Sequence, residues 1–384
     1  MNFIAIKMLV GDRAKYLGIV IGLMFASFLI TQQLSIFVGL MSRTFSVVTD
    51  ITQPDIWVMD PGVKNIDDSR PMNAQQLFRV RAAPGVAWAV PLFKGSIRAK
   101  LPNGDGYNCT LLGLDDESLT GGPPELIPND GKTPLTMDAL RQSDAIFVDA
   151  PNAHEKLGDL KAGDTLELND NRAKVAGLCE ITQGFQGQPV IYTTYSRATK
   201  WVPGERNQLS FILVKSKPGE DVAAVCKSIT AQTGLAAITE ADWKWKSLMY
   251  VVRNTGIPIN FGTTVLLGFV VGVVIAGLLF YQFTMDNIRH FGTLKAMGAT
   301  NLTLVRMILL QTFLAGVLGY CLGIGATTGF KYLIAAFTPK SQQIMFILWQ
   351  TLALTGGAIF FIIILASLFA MIRVIRLEPA IVFK

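Results

Sequence analysis

Charge is what this sequence has least of. Only 16% of its 384 residues are Asp, Glu, Lys or Arg, and 51% are hydrophobic, whereas a water-soluble domain carries about a quarter charged residues. That balance excludes a disordered chain or a nucleic-acid-binding tail, and it points away from a wholly aqueous protein. Histidine is nearly missing. His154 and His290 are the only two, which leaves nothing for a His-based metal cluster or a hydrolytic triad. Four cysteines, Cys109, Cys179, Cys226 and Cys321, show no short spacing. They make no disulfide framework, although one bridge stays open in an oxidising compartment. A phosphate-binding loop is also lacking. Gly131-Lys132-Thr133 looks like the end of one, but Leu126 stands where the earlier glycine is required and Pro134 follows at once. No nucleotide site is expected.

The net charge of +6 is unevenly spread. Residues 44–253 hold 22 basic and 25 acidic side chains, net −3, and the remainder holds 12 basic and 3 acidic, net +9. The basic excess belongs to the apolar part of the chain. Four stretches there, 16–42, 254–285, 307–330 and 341–372, contain no charged residue at all. About 20 apolar residues cross the hydrocarbon layer, so each is long enough to be a transmembrane helix. The first is too long for a cleaved signal, whose apolar region is about 7–15 residues; a retained anchor is expected.

Lys and Arg in the short flanks set the expected orientation. Lys7, Arg13 and Lys15 precede the first span, and Arg289, Lys295 and Arg306 lie between the second and third. Arg373, Arg376 and Lys384 follow the fourth, against only Lys331 and Lys340 on the other side. The positive-inside rule then places both termini and the 286–306 loop in the cytoplasm and exports residues 44–253. Trp243, Trp245 and Tyr250 just before the second span suit either an outer aromatic belt or the core of the exported domain.

That domain reads as α+β. Strands are expected at 55–59, 87–90, 96–100, 107–113, 145–148, 165–168, 172–178, 190–193 and 209–214, and helices at 73–82 and 220–233. Its middle, 123–206, is rich in Gly, Pro and turn pairs such as Asn129-Asp130-Gly131, and reads as an inserted all-β lobe.

Within the spans, small residues recur every four positions: Gly18, Gly22 and Ala26; Gly268, Gly272 and Ala276; Gly319 and Gly323; Gly325 and Gly329. This spacing lets helix backbones approach closely, and these glycines are the expected packing residues. With no charge inside any span, a hydrophilic channel or proton-coupled pump is disfavoured. Gln32, Gln33, Gln311 and Ser367 are the main polar residues there and can bond between helices. Between the second and third spans, 285–297 can continue as a helix that Gly298 ends, with Thr300 or Asn301 capping the next. The expected product is a short elbow exposing Arg289, His290, Phe291, Leu294 and Lys295, a mixed basic and apolar knob suited to a partner's groove or, alternatively, an amphipathic segment lying on lipid headgroups.

One span, a large outer domain and three further spans resemble the layout of the MacB/FtsX-type (type VII) ABC transporter permeases. The run Phe291-Gly292-Thr293-Leu294-Lys295-Ala296-Met297-Gly298-Ala299-Thr300 looks like that family's turn ahead of the third span. Chain length, this wording and the ending Leu377-Glu378-Pro379-Ala380-Ile381-Val382-Phe383 are most similar to the DevC-like group, which has no fused ATPase domain. The resemblance implies four transmembrane helices with a large α+β periplasmic domain, a porter-like lobe plus an inserted β-rich lobe, in a bacterial inner-membrane protein. It implies a homodimer that engages a separate ABC ATPase through Asp286, Arg289, His290, Phe291, Leu294, Lys295, Met297 and Gly298. ATP-Mg would sit in that partner, with no cofactor and no catalysis in this chain. A membrane-fusion adaptor, a TolC-type outer-membrane duct and a lipid-like, amphipathic or peptide cargo complete the implied export system. FtsX-like regulation of a cell-wall hydrolase and lipoprotein extraction are the alternatives.

Overall fold

The computed structural model describes residues 2–68, 70–101, 104–129, 134–202, 208–338 and 344–375. Lys340, Arg376, Lys384, the 377–383 ending and the Asp130-to-Thr133 turn lie outside the described residues. The chain divides into two units, residues 1–39, 256–338 and 344–384 in the first, and 40–255 with 339–343 in the second.

The first unit is helical. It contains α1 (Asn2–Gly11), most of α2 (Arg13–Ser42), and, after the second unit, α9 (Ile257–Asp286), α10 (Ile288–Ala296), α11 (Asn301–Phe337) and α12 (Trp349–Ile375). Helices α2, α9, α11 and α12 are each long and apolar enough to cross a membrane. At 1.5 Å per residue the 37 residues of α11 extend about 55 Å, well beyond a hydrocarbon layer of about 30 Å. Helix α12 starts at Trp349, eight positions after the start of the fourth uncharged run. Its core is Leu23, Ala26, Ile30, Phe280, Phe283, Met307, Ile308, Ile362 and Ala366 with their neighbours.

The second unit is built on one ten-stranded sheet. Its helices are α3 (Ser46–Asp50), α4 (Gln75–Arg81), α5 (Ala150–Glu155), α6 (Tyr195–Trp201), α7 (Val222–Thr233) and α8 (Glu240–Asn254), and a 3-10 turn spans Arg43–Phe45. The strands are β1 (Ile56–Met59), β2 (Met72–Asn73), β3 (Val86–Lys100), β4 (Gly106–Leu114), β5 (Glu125–Ile127), β6 (Ala145–Asp149), β7 (Thr165–Leu168), β8 (Asn171–Glu180), β9 (Val190–Thr194), β10 (Gln208–Leu209), β11 (Phe211–Ser216) and β12 (Ala236–Thr239). In the sheet they run β12-β1-β11-β3-β4-β9-β6-β8-β5, with β7 bridging β3 and β8. The two expected strands at 87–90 and 96–100 are one. Strand β3 pairs with β11 through its first half and with β4 through its second, so a single ribbon joins what the sequence divides into two lobes. The 123–206 segment is not all-β, because α5 and α6 fall inside it. Asp149 caps α5 and Pro151 occupies its first turn, the preferred chemistry for starting a helix.

Helix α8 settles the two readings of the aromatics before the second span. Trp243 is fully buried, 6.1 Å from the ring of Phe211, which in turn meets Trp57 at 5.7 Å edge-on. Trp245, two positions on, is 61% exposed. The helix turns one aromatic into the core and the other out.

All four cysteines are free, and Cys109, Cys179 and Cys226 are buried. Burial, with the Asp149 charge adding to it, pushes the Cys109 thiol up to about 12; burial pushes Cys226 up to about 11. Thiolate is the reactive form. A maleimide at pH 7.5 is therefore expected to leave these three unmodified in the native protein and to modify them after unfolding in denaturant. Quantitative native labelling of Cys109 or Cys179, read by intact mass, would contradict this packing.

Candidate functional site

The expected elbow forms. Helix α9 ends at Asp286, Asn287 stands between, and α10 carries Ile288 to Ala296. Asn287 donates to the Phe283 carbonyl from its N–H at 3.2 Å and its Nδ2 at 2.9 Å, and its own carbonyl accepts the Phe291 N–H at 3.2 Å, so backbone bonding carries across the junction. Gly298, at φ +95, closes α10 in a conformation that favours glycine. Thr300 then caps α11 by accepting the Thr303 N–H.

Two of the residues expected on the elbow surface are inside. Phe291 is fully buried and Leu294 is buried beside it, both in the core of the helical unit. The 3.6-residue period puts positions 291 and 294 on one face of α10, and that face is the inner one. Arg289, His290, Met297 and Gly298 are exposed, Met297 at 73%. Lys295 is partly covered, and its Nζ donates to the Ile375 carbonyl at 3.2 Å, near the end of α12. Asp286 lies against Lys15 at 2.5 Å, and Lys15 also meets Asp12 at 2.8 Å. Composition and spacing give no hint of the Lys15–Asp286 contact, because 271 positions separate its partners. The exposed side chains of α10 thus stand on a base tied to α2, α9, α11 and α12.

The glycine repeats divide into those that pack and those that do not. A methyl group at Gly319 would meet Leu23 Cβ at 2.6 Å and the Leu23–Met24 backbone at 3.1 Å; one at Gly323 would meet Ser27 at 2.5 Å and the Met24 carbonyl at 2.8 Å. Gly272 faces Ala26 at 2.8 Å, and Gly22 faces Ile275 at 2.7 Å. Gly268 and Gly18 approach more loosely, at 3.6 and 3.9 Å. A methyl group at Gly325 or Gly329 would meet nothing within 4 Å among the described residues. Gly316, outside the repeats, is crowded by Ile363. Close approach brings polar side chains within reach. Ser27 Oγ donates to the Tyr320 carbonyl at 3.3 Å, Thr31 Oγ1 to Thr355 Oγ1 at 3.2 Å, Tyr320 OH to the Leu352 carbonyl at 2.9 Å and Gln311 Nε2 to the Ala5 carbonyl at 2.8 Å. Ser367 bonds only within its own helix. Among the described residues no cluster of His, Cys, Asp and Glu could hold a metal ion.

Four membrane-length helices, an α+β domain placed between the first and second, and an elbow with an exposed basic face define the membrane subunit of a transporter. The family description "MacB-like periplasmic core domain" matches residues 16–232, and "FtsX-like permease C-terminal" matches residues 235–379. The chain belongs to the MacB/FtsX-type ABC transporter permeases, and it is a multi-pass inner-membrane protein with a large periplasmic α+β domain. It is 22% identical over 315 residues to an uncharacterized ABC transporter permease of Mycobacterium tuberculosis, covering 81% of this chain and 79% of that one. An uncharacterized ABC transporter permease of Methanocaldococcus jannaschii is 22% identical over 53% of this chain and 52% of its own. Among solved structures, the extracellular domain of the noncanonic ABC-type transporter YknZ from Gram-positive bacteria aligns with TM-score 0.36 and 13% identity over 48% of this chain and 98% of its own. The periplasmic region of MacB from Actinobacillus actinomycetemcomitans aligns with TM-score 0.38 and 15% identity over 54% and 95%. Membership in this family makes the chain a transporter membrane subunit that works with an ATPase.

Proposed function

We propose that this permease converts ATP-driven closure of a separate cytoplasmic ATPase into motion of its periplasmic domain, and that α10 is the element the ATPase grips. The carrying observation is the two-sidedness of α10. Phe291 and Leu294 anchor it in the helical core while Arg289, His290 and Met297 face outward. A push on the outer face is delivered to α9 and α11 because a close-packed base transmits strain instead of absorbing it.

In this reading both termini and α10 are cytoplasmic, consistent with the Lys and Arg bias of the flanks. ATP-Mg is held by the partner, and this chain carries no cofactor. Two copies assemble as a homodimer. A membrane-fusion adaptor and an outer-membrane duct accept a lipid-like, amphipathic or peptide cargo captured outside the inner membrane. The lack of charge inside the four uncharged runs supports motion transfer over passage of a polar cargo between the helices.

The test is ATPase stimulation in a reconstituted complex. Arg289→Glu with Met297→Asp is expected to cut stimulation about tenfold, equivalent to about 1.4 kcal/mol of coupling, with thermal unfolding of the permease unchanged. Full stimulation by the double variant would sink the assignment of α10.

A further inference from the structure

The second unit contains a cleft of about 320 Å³ that transport coupling does not use. This is the lower end of the about 300–1,000 Å³ typical of small-ligand pockets. Asp50, Asp67, Lys94, Thr110 and Tyr192 are among the residues that line it. The 181–188 loop between β8 and β9 contributes to its lining.

That loop is held in place by side chains on both sides of it. Asp149, fully buried, accepts from Gln183 Nε2 at 3.0 Å, from the Val190 N–H at 2.7 Å and from Asn152 Nδ2 at 2.5 Å. Lys156 Nζ donates to the Gly187 carbonyl. Thr182 N–H donates to Asp50 Oδ2 at 2.9 Å. The cleft is therefore bounded by fixed backbone, as a preformed site requires.

Two largely buried polar side chains line it. Asp50 is 8% exposed; Thr182 reaches it through its N–H, 2.9 Å from Oδ2, and through its side chain, the Lys244 charge acts on it from farther off, and burial nevertheless raises its carboxyl above the usual range. Tyr192 is 2% exposed and its hydroxyl makes no hydrogen bond among the described residues. Burial keeps that phenol neutral, well above its usual range, with the charges of Asp50 and Asp149 adding to the effect, so it remains a donor. Lys94 is already matched to Asp67 at 2.8 Å. A carboxylate and a phenol in one cleft offer complementary chemistry to a ligand that carries both a donor and an acceptor. The carboxylate needs an N–H cation, and the phenol needs an acceptor.

We propose that this cleft binds a compact zwitterion of the phosphoethanolamine type, its ammonium on Asp50 and its anionic oxygen on the Tyr192 hydroxyl. The same group is available as a free solute or as a phospholipid headgroup. Binding here does not rest on the coupling role of α10, because it is measured without an ATPase.

Calorimetric titration of phosphoethanolamine into the full chain, held in nanodiscs of phosphatidylcholine, is expected to show saturable binding of one molecule per chain. Phosphocholine, whose nitrogen has no hydrogen to donate, is expected to bind at least about tenfold more weakly. Asp50→Asn keeps an acceptor for Thr182 but loses the charge, and it is expected to weaken binding at least about tenfold. Tyr192→Phe is expected to weaken it about fivefold. Both variants should unfold at the parental temperature, and if Asp50→Asn misfolds, Tyr192→Phe alone decides. Competition by phosphatidylethanolamine included in the discs identifies the headgroup as the source, and its absence identifies the free solute. No saturable binding, or binding equal for phosphocholine or for either folded variant, would overturn the proposal.

Discussion

Gly323→Leu is expected to prevent the helical unit from assembling, while Gly329→Leu is expected to leave it intact. At position 323 the first added carbon alone would stand 2.5 Å from Ser27 and 2.8 Å from the Met24 carbonyl. Backbone cannot swing aside as a flexible side chain can, so α2 and α11 must separate. Separation removes the contacts at Gly319 and strips Ser27 of its bond to Tyr320. The cost is expected at or above the upper end of the about 1–3 kcal/mol that overpacking normally carries. Position 329 belongs to the same sequence pattern but meets nothing within 4 Å. The yield of monodisperse protein after detergent extraction checks both variants, and equal yields would show that the α2–α11 seam is not packed as described.

Phe291→Ala is the second large effect, and it is expected to act through stability. The ring is fully enclosed by the helical core, and removing a buried Phe costs about 3–5 kcal/mol because a cavity is left behind. A lower unfolding temperature in detergent, with Met297→Ala unchanged, is the expected pair of results. Lost ATPase stimulation in Phe291→Ala would then report a loosened base, not a lost contact with the partner. A stable Phe291→Ala protein would instead mean that the ring sits at a surface.

The contrast between these sites shows how far sequence pattern reaches. The elbow was legible because Gly298 and Thr300 are local stop and start signals, and local signals need only their neighbours. Which side of α10 faces inward was not, because Phe291 and Leu294 beside Arg289 and Lys295 read equally well as an exposed knob or as an anchored base. The four-residue glycine spacing likewise found Gly319 and Gly323 but could not separate them from Gly325 and Gly329. A repeat marks a face of one helix, and the identity of the helix against it lies some 300 residues away. The 87–90 and 96–100 strands looked separate because Pro91 and Gly95 interrupt the pattern. Pairing with β11 and β4 carries β3 through both.

By itself the sequence determined that four uncharged runs are long enough to enter a membrane, that an α+β domain of about 210 residues lies between the first two, and that the chain resembles a MacB/FtsX-type permease. These follow from composition and from short-range periodicity, which the chain carries at every point. Only the tertiary structure decided which glycines touch a backbone, that Lys15 meets Asp286, that Phe291 is an anchor, and that Asp50 and Tyr192 share one cleft. Each of those is a meeting of residues distant in the chain. The physical reason is that burial and proximity are properties of the packed whole, set by every element at once.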